Sequence, residues 1–213
     1  QNYLDPYYNL FSNLDRIGDQ DNLVYFYKKF LKVKPKDFYN FFNLGCILKN
    51  QYKFDDAIFY FKTAIKLNDN FLDAYFNLAI CYEKQNKLDV SLQYYEKCIE
   101  INPNLSEVYN EIGNLLKKKN LLLESLKHYN QSINLDSHNS KFYFNKANIL
   151  NELLYFDESI ESYNKSITLN PNYADSFFNK SLLLLLNGKF KTGFELYEWR
   201  WKKEKVSSPI RNF

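Results

Sequence analysis

Side-chain amides return along this chain at a fixed spacing. Asn9, Asn43, Asn77, Asn145 and Asn179 lie 34 residues apart, or twice that where Glu111 interrupts the row. A primary amide carries both donors and an acceptor, so a row of them can hold an extended main chain by its own N–H and C=O groups. One residue earlier runs a second row, Tyr8, Phe42, Phe76, Asn110, Phe144 and Phe178. Its rings are candidates to grip apolar side chains of whatever the amides hold. The alternative for these rings is packing against the next helix of the chain. The chemistry in either case is binding rather than bond-making.

No bond-making constellation accompanies the two rows. His128 and His138 are the only histidines, and neither sits beside a Ser or Cys in a nucleophile motif. Five glycines form no phosphate-cradling loop. Glu195 and Glu198 are spaced as a solvated helical face. Cys46, Cys81 and Cys98 are odd in number and include no Cys-x-x-Cys, which argues against zinc and disulfides and for a reducing, cytoplasmic setting. No catalytic residue, cofactor or metal is expected.

Composition narrows the class further. Of the residues, 46% are hydrophobic and 19% aromatic, too apolar for a disordered chain. The net charge of +3 comes from interspersed Lys and Glu, and the basic runs Lys117–Lys119 and Arg200–Lys205 are short. The first reads as the solvated end of a helix, and nucleic acid is not an expected partner. The run Leu182–Leu186 is far too short to cross a membrane. The chain starts at Gln1 and has no Met, as a fragment or processed form would.

The elements that position the two rows follow from the same period. Phe41, Tyr75, Tyr109, Tyr143 and Phe177 form an aromatic column, and Gly45, Ala79, Gly113, Ala147 and Ser181 a small one four residues later. In the second unit, Phe38, Phe41, Phe42, Leu44, Gly45 and Leu48 have helical spacing, as do Ala57, Ile58, Phe61, Ala64 and Ile65. Each unit therefore predicts two helices, A and B. The small column marks their close approach, matched on helix B by Ala57, Ser91, Ser125, Ser159 and Gly193. Phe61, Tyr95, Tyr129, Tyr163 and Tyr197 fill the space between successive pairs. Asn86, Asn120 and Gly188 fall in the A-to-B turns, where a left-handed residue is needed. Asp55, Asp89 and Asp157 are placed as N-caps of the B helices. Pro35, Pro103 and Pro171, with Asp69 and Ser137, make the turns between units.

Period and column chemistry together resemble the tetratricopeptide repeat. The resemblance implies an all-α, right-handed α-solenoid of about six antiparallel helix pairs. Residues 1–37 form a degenerate first pair, with Phe11 and Leu23 in the small columns. Regular repeats follow at 38–71, 72–105, 106–139 and 140–173, then an irregular one at 174–203 with Arg200 in a small column, and a linker at 204–213.

In such arrays the A helices line the concave face, and the amide row resembles the asparagine ladder of O-linked N-acetylglucosamine transferase and of armadillo proteins. The resemblance implies a protein–protein interaction scaffold that binds an extended peptide through the two rows. Asn114 and Asn145 match the amides of the co-chaperone carboxylate clamp, but Asn110 and Asp175 stand where that clamp needs cations. The ending from Gly188 to Trp201, with Asn145-Lys-Ala and Asn179-Lys-Ser, resembles bacterial proteins in which the repeats precede a glycosyltransferase-like domain. That implies an alternative: a substrate-recognition arm, with Trp199 and Trp201 at a domain junction. Self-association through terminal repeats is a third reading.

Overall fold

A computed structural model describes residues 6–204, and every regular element in that span is an α-helix. The chain divides into two compact units between Pro103 and Asn104. The first holds α1 (Pro6–Ile17), α2 (Gln20–Val33), α3 (Phe38–Asn50), α4 (Phe54–Leu67), α5 (Leu72–Lys84) and α6 (Leu88–Ile101). The second holds α7 (Ser106–Lys118), α8 (Leu122–Leu135), α9 (Ser140–Glu152), α10 (Phe156–Leu169), α11 (Ala174–Leu186), α12 (Phe190–Tyr197) and α13 (Arg200–Glu204). Within each unit, consecutive helices pack antiparallel as far as α12, while α13 packs on α11; alternate helices also touch: α3 with α5, α7 with α9, α9 with α11. The expected linker lies outside the described residues, apart from Glu204 at the end of α13.

Every A-to-B turn is built alike. The residue after the helix cap is left-handed: Gly18, Tyr52, Asn86, Asn120, Leu154 and Gly188 have φ between 59 and 76°. The next N–H returns to a carbonyl five residues back, as Lys53 to Leu48 and Leu121 to Leu116 do at 2.9 Å. This is the Schellman closure, which satisfies carbonyls that the helix end leaves open. Asn and Gly take the strained conformation cheaply, whereas Tyr52 and Leu154 take it at a cost.

Asp55, Asp89 and Asp157 are not N-caps. Each helix begins one residue before them, with Lys53, Lys87 and Tyr155 at the cap making no side-chain capping bond. The aspartates lie in the first turn, where they favour the positive end of the helix dipole. True side-chain caps are Asp19, Asp37 and Asn139, which accept from Asn22, Asn40 and Lys141 backbone N–H groups. Between repeats the turn is held by Asx side chains: Asn68, Asp136 and Asn170 accept from the N–H two residues on.

Small residues set the spacing within each pair. A Cβ added at Gly45 would meet Phe61 at 2.6 Å, and one at Gly113 would meet Tyr129 at the same distance. Phe61, Tyr95, Tyr129 and Tyr163 are 0–1% exposed; fully burying a ring such as Phe61 contributes about 1.5–3 kcal/mol. The serines opposite do more than stay small. Ser91, Ser125 and Ser159 donate to the carbonyls of Ala79, Gly113 and Ala147, each at 2.8 Å. The interior of the second unit is rich in such hydroxyls, with Ser132, Ser162, Ser166, Ser176 and Ser181 also buried.

Both irregular pairs have a steric cause. In the first, Phe11 takes the small position and stacks face to face on Tyr27, with centroids 3.8 Å apart. In the last, Arg200 cannot enter the small column, and helix B stops at Tyr197, after 8 residues instead of 14. Its guanidinium lies over the Tyr197 and Trp201 rings instead.

Candidate functional site

The predicted amides lie on the A helices, and the structure gives most of them partners. In the first unit Asn9 is exposed, while Asn43 and Asn77 are half-buried. Asn43 bonds the hydroxyl of Tyr27, whose pKa burial pushes up to about 12. Asn77 accepts from Lys49 Nζ of the preceding A helix at 2.7 Å and donates to the Asp73 carbonyl at 2.9 Å. The widened first pair opens a cleft of about 400 Å³ beside Asn43, with Tyr8, Ser12, Asp15 and Cys46 on its walls.

In the second unit the amides form two hydrogen-bonded sets. Asn145 donates to Asn110 Oδ1 at 2.8 Å, and Asn179 donates to Asn148 Oδ1 at 2.9 Å, each linking adjacent A helices. A tyrosine braces each set: Tyr129 donates to Asn114 Oδ1 at 2.7 Å and Tyr163 to Asn148 Oδ1 at 2.6 Å. Burial pushes both phenol pKa values up, so these hydroxyls keep their protons. Glu111, in the gap of the row, accepts from Asn110 at 3.2 Å and Asn114 at 2.9 Å and lies 3.8 Å from Lys141 Nζ. Lys117 pairs with Glu152 at 2.7 Å at the rim of a cleft of about 370 Å³. Asn148, Asn151, Asn179, Leu182 and Leu186 line it. Glu111 and Asn148 were not among the expected site residues. Their signal was positional: both occupy A-helix places on the same face as the ladder.

Tyr8 is exposed, whereas the phenylalanines of the aromatic row are half-buried and turned toward the interior. Phe42, Phe76, Phe144 and Phe178 approach Phe61, Tyr95, Tyr163 and Tyr197 of their own B helices at 5.6–6.2 Å. Phe42 and Phe144 also meet the turn aromatics Phe71 and Tyr173 at 4.9 and 5.1 Å. Asn110, which interrupts this row, is 1% exposed.

The two tryptophans differ. Trp199 stacks on Phe177 at 3.8 Å and 3°, closing the last layer, with Lys202 Nζ over its other side at 3.5 Å. Trp201 is 52% exposed. His128 stacks on Tyr109 in a place that Tyr60 and Tyr94 fill in earlier repeats, and His138 sits in an exposed turn. All three cysteines are reduced thiols, and among the described residues no cluster of three or more ligands could hold a metal ion. No described helix is long and apolar enough to cross a membrane.

Comparison with known proteins follows the same period. Among curated proteins, no sequence match to this chain is found. Its fold is similar to a tetratricopeptide repeat protein from Parabacteroides merdae, with a TM-score of 0.80 and 17% identity over 96% of this chain and 80% of that one. MamA from Desulfovibrio magneticus gives 0.72 and 17%, over 78% and 94%. YrrB, described as a TPR protein with an unusual peptide-binding site, gives 0.65 and 16%, over 81% and 89%. Models of the tetratricopeptide repeat match residues 38–71, 72–105, 94–127, 140–173 and 162–194, more than half of the chain. The chain belongs to the tetratricopeptide repeat family.

Proposed function

We propose that the chain is a protein-interaction scaffold that binds an extended peptide along its A helices. The peptide-binding residues are the amides Asn9, Asn43, Asn77, Asn145 and Asn179, with Phe42, Phe76, Phe144 and Phe178 beside them. One observation carries the reading. Asn145 and Asn179 each use one amide N–H on the neighbouring A helix, which fixes the side chain and leaves its carbonyl oxygen as an acceptor. An acceptor already oriented loses little rotamer freedom when a ligand N–H arrives. The exposed Leu182 and Leu186 beside Asn179 offer apolar contact to the same ligand. The peptide-binding site ascribed to YrrB, a neighbour in fold, points the same way.

The test is selection of peptides from a random display library on the wild-type chain, followed by binding to Asn179→Ala and Leu182→Glu. Selected peptides should lose affinity for both variants and should lose it again when their own main-chain nitrogens are methylated. Peptides that tolerate both changes would remove the ladder from the account.

A second reading is the recognition arm of a larger glycosyltransferase-like protein. Trp201 favours it, because a tryptophan 52% exposed next to a stacked Arg200 is a ready anchor for a further domain. Trp199, stacked on Phe177, would fix the end of the last repeat beside that anchor.

A further inference from the structure

The B helices of the first unit carry a feature that the amide groove does not use. Lys28 and Lys32 lie one turn apart on α2, and Lys62 and Lys66 occupy the equivalent places 34 residues later on α4. All four are exposed. Like charges at i, i+4 oppose helix formation, so both pairs are retained at some loss of stability. Lys62 lies over the Tyr82 ring at 5.5 Å, but Lys28, Lys32 and Lys66 have no carboxylate within ion-pair distance among the described residues. Between α2 and α4 runs a cleft of about 310 Å³ with Lys28 and Lys32 on its rim and Leu31, Phe41, Phe59 and Tyr60 as its floor. Phe59 is 62% exposed, a large ring left in water beside a cationic edge. Burial raises the Tyr60 pKa, helped by the charge of Asp56 on the same helix.

We propose that this face is a second docking site, and that its occupant is an acidic amphipathic helix of a partner protein. Carboxylates one turn apart on that helix, about 6 Å along its axis, would match Lys28 and Lys32. An apolar side chain between them would enter the cleft over Leu31 and against Phe59. A peptide fits better than nucleic acid, because the floor is apolar and offers no array of groups for base edges. The site is independent of the amide groove, since no residue is shared.

The experiment is fluorescence anisotropy of the full chain with a fluorescein-labelled helical peptide of about three turns, bearing Glu at i and i+4 with Leu between them. The same peptide with Lys in place of Glu, and a short DNA duplex, serve as comparison probes. Wild type should bind the acidic peptide saturably, more weakly as salt rises from about 50 to about 500 mM. Lys28→Glu with Lys32→Glu should weaken binding by roughly tenfold or more. Phe59→Ala should weaken it severalfold with the charges intact, and Asn179→Ala should not change it. Lys28, Lys32 and Phe59 are exposed, so the melting of their variants should be unaltered and serves as the folding control. Absence of saturable binding, indifference to the charge reversal, or DNA binding in place of peptide binding would each overturn the proposal.

Discussion

Asn145 donates its side-chain amide to Asn110 at 2.8 Å, and Asn110 is 1% exposed. The ladder is therefore part of the scaffold that holds neighbouring A helices together as well as a surface to bind on. Removing Asn145 leaves a buried carbonyl oxygen without its donor, whereas removing Asn179 leaves Asn148 still bonded to Tyr163 at 2.6 Å. Asn145→Ala should accordingly lose about 1–3 kcal/mol of stability, and Asn179→Ala clearly less. Urea unfolding of the two variants separates them; equal losses would refute the distinction.

Leu154 holds φ 64° at a place where Asn86 and Asn120 stand in other repeats, and its side chain is 70% exposed. Leu154→Gly relieves left-handed strain while giving up little packing. A gain of roughly 0.5–1 kcal/mol is expected, net of the greater entropy of glycine in the unfolded chain. A lowered urea midpoint would show that the strain is offset by contacts at this turn.

Gly113 faces Tyr129 so closely that an added Cβ lies 2.6 Å from the ring, which is tethered by its hydroxyl to Asn114. Gly113→Leu should cost about 1–3 kcal/mol or more through overpacking. Ser125→Ala on the opposite helix, which deletes the bond to the Gly113 carbonyl, should cost about 1 kcal/mol. Thermal melts of both variants would check the pair, and a neutral Gly113→Leu would contradict the helix spacing.

Burial pushes the Cys46 and Cys81 thiols up to about 11 and, with help from Asp73, the Cys98 thiol to about 12, from an ordinary 9.0. Below pH 9 both folded and unfolded chains keep these protons, so the thiols add no pH dependence. Between 9 and 11 the unfolded chain releases them and the folded chain does not, so stability falls as pH rises. Cys98→Ala places at this position the residue that Ala64 already supplies in another repeat. The loss of urea midpoint from about pH 8 to about pH 10.5 should be smaller in that variant than in wild type. An unchanged loss would remove Cys98 from the account and leave the alkaline sensitivity to Cys46, Cys81 and tyrosines such as Tyr27.

Much of the architecture was legible because the period is local. Asn86, Asn120 and Gly188 announced left-handed turns by residue type, and each turn has that geometry. Tyr52 and Leu154 gave no such sign, because the closure between the paired helices imposes the left-handed geometry whatever residue stands there. The aspartates at 55, 89 and 157 misled for a related reason: a carboxylate suits both the cap and the first turn, and only the position of Phe54, Leu88 and Phe156 decides between them. The amide row was visible as spacing, but its bonds join residues 28–35 apart. No local pattern reports whether Asn145 reaches a ligand, a neighbour or both. Glu111 was visible only as a gap in the row, because it breaks the residue type while keeping the place.

The hydroxyls buried in the second unit have a thermal consequence. Where the first unit encloses Ala57, Ala64, Ala74 and Ala79 with Ser91, the second encloses Ser125, Ser132, Ser159, Ser166 and Ser176 with Ala147. Unfolding hydrates methyl groups in one case and hydroxyl groups in the other, and these move the heat capacity in opposite directions. The serine-lined unit should therefore have the smaller heat-capacity increment per residue and the flatter stability curve. Cooling would weaken it less than its alanine-lined counterpart.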